Sequence, residues 1–248
     1  MTLHSAAVDE SAIPIEWYAV PLRGFSDQLE DQSPTEVLRW GINTFWPDIV
    51  LATGFGPEGV VLMHQLSQLR PTVEVFYVDT GLLFPETYAL RDELAARLGV
   101  SFINVRTELS LEQQTIDYGA ELWQRDPDTC CHLRKVIPLR RFLAPRRAWI
   151  SGIRRDQTPQ RATAGIVEWD NVNQMVKLNP LANWTADHVW DYIHEHQLPT
   201  NHLHAMGYPS IGCWPCTKPV APGADPRSGR WAGFNKTECG IHFQNRRR

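Results

Sequence analysis

The sequence predicts an α/β protein with an open, mostly parallel sheet, helices on both faces and an irregular C-terminal tail. Short apolar segments alternate with amphipathic ones through the first half of the chain, which is the order of a parallel sheet covered by helices. A glycine-rich turn follows the first apolar segment. After residue 199, glycine, proline and tryptophan replace any regular pattern.

The first half of the chain predicts three strands separated by helices. Ser33-Pro34-Thr35-Glu36 begins a helix, with a serine cap, proline at the first helical position and glutamate three residues after the cap. Gly99 ends another helix as a C-cap. The predicted helices lie at 34–45, 60–69 and 85–98, and the short apolar strands at 48–53, 73–78 and 102–105.

The second half continues this pattern and then loses it. We expect a helical region near 111–124, a helix from Cys130 to about residue 142, and a strand at 148–152. The segment 165–178, with Asp170-Asn171 in its middle, predicts an antiparallel hairpin added to one side of the sheet. An amphipathic helix at 185–196 is the last regular element.

Composition and charge exclude several classes of function. The 248 residues are 43% hydrophobic and 21% charged, with a formal net charge of −4, which argues against nucleic-acid or membrane partners. No run approaches the roughly 18 apolar residues of a membrane span, and residues 1–13 lack the order of a signal peptide. We expect a cytoplasmic protein whose cysteines are ligands or catalysts rather than disulfides.

The turn after the first strand carries a phosphate-binding pattern. Gly54-x-Gly56-x-x-Gly59 follows a strand and opens a helix, and Asp79 ends the next strand 20 residues beyond Gly59. Glycines let backbone amides approach an anion, and the helix dipole adds a favourable field. The pattern predicts a bound nucleotide, either a nicotinamide cofactor or a mononucleotide. A tight turn without a ligand is the alternative.

Four of the five cysteines form two clusters. Cys130 and Cys131 are adjacent, and Cys213 and Cys216 form a CxxC pair. Four thiolates suit a tetrahedral metal ion or an iron–sulfur cluster. Adjacent cysteines make a poor zinc knuckle, whereas a cubane offers a separate iron to each thiolate. The pattern favours [4Fe–4S] over zinc, with ordinary buried thiols as the third alternative.

Basic residues follow the cysteines and the fourth strand. Lys135 lies one helical turn after Cys131, between a negative cluster and an incoming anion, unless it is simply a solvated helix residue. Arginine suits bidentate capture of phosphate or sulfate, although each arginine alone could be surface charge. Candidate anion-binding arginines are Arg154, Arg155, Arg161, Arg227 and Arg230.

The fifth cysteine, Cys239, stands alone near the C-terminus, with His242 three residues later. An exposed cysteine near cations has a lowered pKa and acts as a nucleophile. An incidental cysteine in a loose tail is the alternative. The pattern therefore indicates four thiols that bind a cluster and one thiol that reacts.

Five separated motifs together resemble the assimilatory adenylyl-sulfate (APS) reductases. The related phosphoadenylyl-sulfate (PAPS) reductases share the tail motif but lack the paired cysteines. The resemblance extends from about residue 35 to residue 242. The motifs are Cys130-Cys131-x-x-Arg134-Lys135-x-x-Pro138-Leu139, Gly152-x-Arg154-Arg155-Asp156-Gln157, Cys213-x-x-Cys216-Thr217, Arg227-x-Gly229-Arg230-Trp231 and Glu238-Cys239-Gly240-Ile241-His242.

The resemblance implies a fold of the adenine-nucleotide alpha-hydrolase type and a [4Fe–4S] cluster on the two cysteine pairs. It implies that Cys239 is the nucleophile and that basic residues surround the phosphosulfate: Lys135, Arg161, Arg227, Arg230 and His242. The adenosine is expected near Thr53, Gly54, Phe55 and Gly56 and near Asp79, Thr80 and Gly81. The family commonly has serine where this chain has Gly54-Phe55-Gly56-Pro57.

The activity that the resemblance implies is reduction of APS to sulfite and AMP through an S-sulfocysteine on Cys239, with thioredoxin or a glutaredoxin-like dithiol as reductant. The alternatives are a PAPS-specific or dual-specificity reductase, a nicotinamide or flavin oxidoreductase, a zinc-stabilised binding module and a tRNA-thiolating enzyme. The sequence leaves homo-oligomerisation open.

The predicted organisation is a single domain with two extensions. Residues 1–32 form an N-terminal arm that includes a short helical piece. Residues 33–212 form the nucleotide-binding α/β domain. Residues 213–248 form a tail, anchored by Cys213 and Cys216, that carries Cys239.

Overall fold

The computed structural model describes residues 16–242, with side chains from residue 22 onward. The predicted start of the N-terminal arm lies outside these residues. The strands are β1 (Ile49–Ala52), β2 (Glu74–Asp79), β3 (Phe102–Arg106), β4 (Ala148–Ile150), β5 (Val167–Asp170) and β6 (Met175–Leu178). The helices are α1 (Glu16–Leu29), α2 (Pro34–Phe45), α3 (Pro57–Leu69), α4 (Pro85–Leu98), α5 (Leu111–Tyr118), α6 (Leu122–Arg125), α7 (Pro127–Cys131), α8 (Ile137–Leu143) and α9 (Ala186–Glu195).

The six strands form one sheet in the order β3-β2-β1-β4-β6-β5. All neighbours are parallel except β5, which pairs antiparallel with β6 at the edge. The chain leaves β1 for β2 on one side, while β4 lies on the other side of β1. The crevice at the carboxyl ends of β1 and β4 is therefore a topological switch point, where open α/β sheets bind ligands.

Apolar side chains cover both faces of this sheet. The larger cluster includes Leu38 of α2, Leu62 of α3 and Val189 of α9. The smaller cluster joins Trp149 of β4 to α8 and is contacted by Ile241 of the tail. Helices on both faces and a mostly parallel sheet confirm the predicted fold class.

Local signals in the sequence explain where several elements begin and end. Ser33 caps α2 and forms the predicted capping box with Glu36, whose amide donates to the Ser33 Oγ at 3.3 Å. Gly99 ends α4 in the left-handed conformation, with a φ of 66°. The predicted hairpin is confirmed as β5 and β6. The segment after residue 199 is confirmed as irregular, apart from short 3₁₀ turns.

Two predicted helices have different bounds. The helix after β1 begins at Pro57 rather than at residue 60. The glycine-rich turn is therefore only the four residues 53–56, and Gly59 lies inside the helix. The region 111–124 is two helices, because Gly119 breaks it with a φ of 82°. Arg125 stabilises this break, since its side chain donates to the carbonyl oxygens of Tyr118 and Ala120.

The helix predicted from Cys130 to residue 142 contains a wider π-helical turn at His132–Val136, between α7 and α8. Pro138 lies just inside α8. Proline has no N–H to donate to the carbonyl four residues earlier, and its ring would clash with that carbonyl. A π turn removes this conflict and is common at functional sites. Here it contains Arg134 and Lys135.

The helix α1 packs against the hairpin edge of the sheet. Leu22 and Leu29 belong to the larger apolar cluster, and the amide of Val167 donates to the Ser26 Oγ at 3.3 Å. Within residues 16–242, no helix is both long and apolar enough to cross a bilayer.

Candidate active site

All four clustered cysteines line one cavity beside the carboxyl end of β2. Cys130 and Cys131 enter it from α7, and Cys213 and Cys216 enter from the irregular C-terminal segment. The same cavity is lined by Thr80, Leu82, Trp123, Pro127, Arg134, Lys135 and Trp231. Residues some 80 positions apart in the sequence therefore meet at one site, as the cysteine pattern predicts.

Backbone contacts hold the CxxC pair against the end of β2. Cys213 forms a β-bridge with Leu83, and the amide of Trp214 donates to the carbonyl oxygen of Leu82 at 2.8 Å. The Thr80 hydroxyl lies 3.3 Å from the Cys213 sulfur. The first cysteine pair is positioned by the start of α7, where Asp126 caps the helix by accepting from the Thr129 amide at 2.9 Å.

Burial and neighbouring thiols favour the protonated form of Cys130, Cys131 and Cys216 in the absence of a bound cation. Burial, and then the neighbouring Cys131, Cys213 and Cys216, raise the pKa of Cys130 to about 12. Burial, followed by Cys213 and Cys131, raises the pKa of Cys216 to about 11. A bound metal reverses this preference, because its ligands are thiolates.

The donor set fits a cluster better than a single ion. Two of its four thiols, Cys130 and Cys131, are adjacent in α7. A tetrahedral zinc ion needs all four sulfurs about 2.3 Å from one point, whereas a cubane binds each thiolate through a different iron. Four soft thiol donors around one cavity therefore fit an iron–sulfur cluster.

Arg134 is a structural member of the site that the sequence does not single out. It is 3% exposed, and its guanidinium donates to the Gln114 Oε1 at 2.7 Å and to the carbonyl oxygens of Thr80 at 2.8 Å and Leu109 at 3.2 Å. It therefore ties the π turn to the end of β2 and to the loop before α5. Its place in the cysteine motif was the only signal in the sequence.

Lys135 is the cation beside the thiols. Burial opposes its charged form, but the negative charge that Cys213, Cys131 and Cys239 carry as thiolates outweighs burial, so that the pKa of Lys135 is raised. Lys135 therefore stays protonated and faces both the four-cysteine cavity and the fifth cysteine. Lys135 is therefore a partly buried residue of the site rather than a solvated helix residue.

The tail carrying Cys239 is docked against the body of the domain. Cys239 is half-buried, and it interacts electrostatically with Cys131, Lys135 and Arg227. The expected mobile, exposed cysteine is thus held at the cavity. Lys236, also in the tail, forms an ion pair with Asp128 of α7.

Glu238, immediately before the nucleophile candidate, makes a bidentate contact between tail and body. Both of its carboxylate oxygens accept from Arg161, each at 2.8 Å, and Arg227 lies 3.6 Å away. Burial alone would raise the pKa of Glu238, but the hydrogen bond and charge of Arg161 outweigh it, so the pKa is lowered. Glu238 is therefore charged when docked. Its contribution to docking is lost only as the pH falls through that lowered value.

His242 ends the docked segment on the sheet. Its ring stacks on Trp149 with a centroid distance of 5.3 Å and an interplanar angle of 6°. Burial, followed by the charges of Lys177, Arg161 and Arg227, lowers the pKa of His242 well below its ordinary value of 6.5. Lys177 is 2% exposed and pairs with Glu168 at 3.0 Å. The sequence pattern does not reveal that Lys177 lies close enough to His242 for its charge to act on the ring.

We predict that the His242 imidazole is still neutral at pH 6.5 in the folded protein. Because the undocked ring binds a proton more readily, docking is fully stable above about pH 6.5 and weakens as the pH falls below it. NMR titration of the imidazole measures this directly. In a peptide of residues 236–242 the same ring should titrate at its ordinary value, and equal titration in protein and peptide would contradict the docked position.

The other candidate arginines have protein partners in this structure. Arg154 contacts Glu58 of α3 and Asp156, and Arg155 pairs with Glu30, which directly follows α1. Arg230 donates to the Ser210 hydroxyl at 3.2 Å and to the Ile211 carbonyl oxygen. Substrate contacts by these residues stay predictions.

The arginines of the tail also present unused donors. The Nε atoms of Arg227 and Arg230 are buried and have no hydrogen-bond partner within the described part of the chain. A buried N–H without an acceptor is costly. Arg227 interacts electrostatically with Cys239, and Arg230 with Lys135, which makes these two donors candidates for binding an anionic ligand.

The glycine-rich turn lies at the switch point, but its side chains are distributed differently from the expectation. Phe55 has a φ of 59° and packs in the core against Tyr77 and Phe102, so only its backbone can face a ligand. A Cβ on Gly54 would meet no atom within 4 Å, whereas one on Gly59 would lie 2.5 Å from the Thr53 Oγ1. The space beside Gly54 is therefore open, and the absence of a side chain at Gly59 lets α3 pack closely against Thr53.

Asp79 and Thr80, at the carboxyl end of β2, have side chains with different surroundings. The Asp79 carboxylate accepts from the Gly81 amide at 2.9 Å, the Tyr88 hydroxyl at 2.8 Å and the Asn104 side chain at 3.2 Å. This carboxylate is occupied, which disfavours the ribose contact that a nicotinamide cofactor would require. The Thr80 side chain faces Cys213 rather than the glycine-rich turn.

Comparisons with known proteins identify the family of this chain. Residues 48–219 match the phosphoadenosine phosphosulfate reductase domain. A protein named adenosine 5′-phosphosulfate reductase from Salinibacter ruber is 52% identical over 238 residues, covering 95% of this chain and 93% of the relative. One named phosphoadenosine 5′-phosphosulfate reductase from Gloeobacter violaceus is 48% identical, covering 94% and 98%.

A solved structure extends the likeness to three dimensions. The crystal structure of a phosphoadenylyl-sulfate reductase from Candida auris, in a phosphate complex, has a TM-score of 0.71 and 30% identity. It covers 84% of this chain and 98% of its own. The family match, the relatives and the shared fold agree, and the chain belongs to the phosphoadenosine phosphosulfate reductase family.

Proposed function

We propose that the protein reduces APS to sulfite and AMP, using Cys239 as nucleophile and a dithiol protein such as thioredoxin as reductant. The observation that carries this proposal is the position of Cys239. It interacts electrostatically with Lys135 and with Arg227, whose buried Nε has no acceptor among the described residues. Family membership and the high identity to a relative named adenosine 5′-phosphosulfate reductase support the substrate class.

In the first step the Cys239 thiolate attacks the sulfur of the sulfuryl group. A sulfur–sulfur bond forms, and the bond from that sulfur to the bridging phosphate oxygen breaks. AMP leaves with the electron pair, and an S-sulfocysteine remains on the protein. Negative charge shifts onto the bridging oxygen, where Lys135 and the unused donors of Arg227 and Arg230 can stabilise it.

The nucleotide fits the crevice between the carboxyl ends of β1 and β4. The open space at Gly54 and the N-terminus of α3 suit the phosphate side of the nucleotide. The short turn ends at Gly56, so the amides of the first turn of α3 face this crevice. The adenosine then lies over the strand ends.

In the second step the reductant regenerates the thiol. A thiolate of the dithiol attacks the Cys239 sulfur, and sulfite leaves with the electron pair of the broken sulfur–sulfur bond. The second thiol of the reductant then displaces Cys239 from the mixed disulfide. The dithiol supplies both electrons and becomes a disulfide.

We further propose that Cys130, Cys131, Cys213 and Cys216 hold a [4Fe–4S] cluster. The four thiols that line one cavity, two of them adjacent in α7, support this assignment. When bound, the cluster supplies electrostatic and structural support to the site and does not need to change oxidation state. A protein that must keep five thiols reduced suits the cytoplasm.

A second candidate is reduction of PAPS, because one relative carries that name. The two substrates differ by a 3′-phosphate on the ribose. An assay of sulfite release from APS and from PAPS, with reduced thioredoxin and the anaerobically purified protein, tests both. We expect sulfite and AMP from APS. A preference for PAPS would favour the second candidate, and no sulfite from either would refute both.

We predict that Lys135→Met lowers the rate of S-sulfocysteine formation by about 10²-fold, the typical effect of removing one donor that stabilises transition-state charge. Lys135→Arg, which keeps the charge, should retain more of the rate. Rapid-quench mass spectrometry of the Cys239 peptide measures this rate. Equal rates in Lys135→Met and the unmodified protein would show that the cation does not act in this step.

A further inference from the structure

Glu238 has no task in the mechanism above, although it directly precedes the nucleophile. It is 4% exposed, which is unusual for a glutamate. A charged group is buried at such a cost only where it is paired. Its position therefore calls for an explanation through the groups that contact it.

The contacts form a bidentate bridge. Arg161 donates through Nε and Nη2 to the two carboxylate oxygens, both at 2.8 Å, the geometry of the strongest charge-assisted pairs. The remaining nitrogen of Arg161 donates to the Gln157 side chain. The Thr158 hydroxyl donates to the same carboxylate at 3.3 Å. All of these partners lie in the loop that follows β4.

Arg227 connects this bridge to the anion site. Its Nη2 donates to the Thr237 carbonyl oxygen at 2.8 Å and lies 3.6 Å from Glu238, while its Nε has no partner within residues 16–242. The Nη2 atom of Arg227 therefore holds residues 237 and 238, and its Nε remains to donate to an anion. Glu238 therefore lies near a different nitrogen of Arg227 from the one that remains for an anion.

We propose that Glu238 is a positioning residue, bound by Arg161, that holds the adjacent Cys239 at the reaction site. This inference rests on the proposed function. It assigns Arg161 to the tail rather than to the phosphosulfate. With the backbone of residue 238 fixed by two parallel hydrogen bonds, the Cys239 sulfur is confined before substrate binds. Such pre-organisation lowers the barrier by proximity and orientation.

Glu238→Gln tests the charge of the bridge with little change of shape. We expect S-sulfocysteine formation in a single turnover without reductant to slow by about 10²-fold, since small misplacement of a reacting group costs this much. The KM for APS should change by less than about threefold, because the substrate's own contacts remain. In the substrate-free protein, alkylation of Cys239 by iodoacetamide should become about tenfold faster as docking weakens.

The alkylation rate is taken at its pH-independent plateau, where the thiol is fully ionised, so that a change in thiol pKa does not contribute. Mass spectrometry of the Cys239 peptide identifies the modified residue. The control is Glu74→Gln, which removes an ion pair with Arg146 at the opposite end of the sheet. This control should leave both rates unchanged.

A double-mutant cycle separates the tether from a direct substrate contact. If Arg161 acts through Glu238, Arg161→Ala and Glu238→Ala slow the reaction equally and the double variant is no slower. A large rise in KM with Arg161→Ala in both backgrounds would overturn this assignment. A lower KM with an unchanged rate in Glu238→Gln would instead show that the carboxylate competes with substrate, and would also overturn it.

The alkylation measurement keeps this inference separate from the proposed function. If the unmodified protein forms no S-sulfocysteine from APS, the proposed function fails, and alkylation still decides whether Glu238 holds the tail. If the protein reduces APS while Glu238→Gln matches it in both rates, only the positioning role fails.

Discussion

Cys239→Ser is expected to abolish sulfite formation while leaving the bound iron and its visible absorption unchanged. Serine keeps the size of the side chain but cannot act as the nucleophile at neutral pH. Loss of a catalytic nucleophile costs on the order of 10⁴-fold or more. Sulfite release from APS, iron content and the visible spectrum of the anaerobic protein measure the outcome.

The structure explains why the two properties should separate. Cys239 lies on the docked tail between the contacts of Glu238 and His242, whereas the four other cysteines line the cavity from α7 and the CxxC segment. Mass spectrometry should show one added SO₃ group on Cys239 in the unmodified protein without reductant, and none in the variant. Sulfite formation by the variant would refute the mechanism.

Cys213→Ser is expected to lose the cluster and, with it, both activity and stability of the C-terminal segment. Cys213 connects the CxxC segment to the end of β2: its sulfur lies 3.3 Å from the Thr80 hydroxyl, and its carbonyl oxygen accepts from Thr217 at 2.9 Å and from the Cys216 amide at 3.0 Å. Without the cluster, no metal links the cysteines of α7 to the CxxC segment.

Iron per chain, visible absorption and the melting temperature measure this prediction. Cys239→Ser is the matched control, since it is the same substitution at a cysteine outside the cavity lining. We expect iron to be lost at position 213 and kept at position 239. Equal iron in the two variants, or one equivalent of zinc in the unmodified protein, would contradict the proposed cluster.

The cysteine pattern and the arginine pattern differ in how well they predict the site. Adjacent cysteines and a distant CxxC pair have few structural uses, so their chemistry alone indicated a shared site. Arginines have many uses. Arg161 and Arg155 were both candidate substrate contacts, yet in the structure one binds Glu238 and the other Glu30.

By itself, the sequence determined the fold class, the order of elements and the grouping of the four thiols. These follow from local chemistry: apolar periodicity, capping residues such as Ser33 and Gly99, and the few roles open to paired cysteines. The break at Gly119 and the π turn before Pro138 were not predicted, because each depends on balancing several local preferences against packing.

Only the tertiary structure decided which partner each polar side chain takes. Thr80 faces Cys213, Trp149 stacks on His242, and Glu238 pairs with Arg161 across 77 residues of sequence. Periodicity assigns a residue to one face of an element, but it carries no information about which distant segment meets that face. Long-range ion pairs and ring contacts arise when the folded chain brings those segments together.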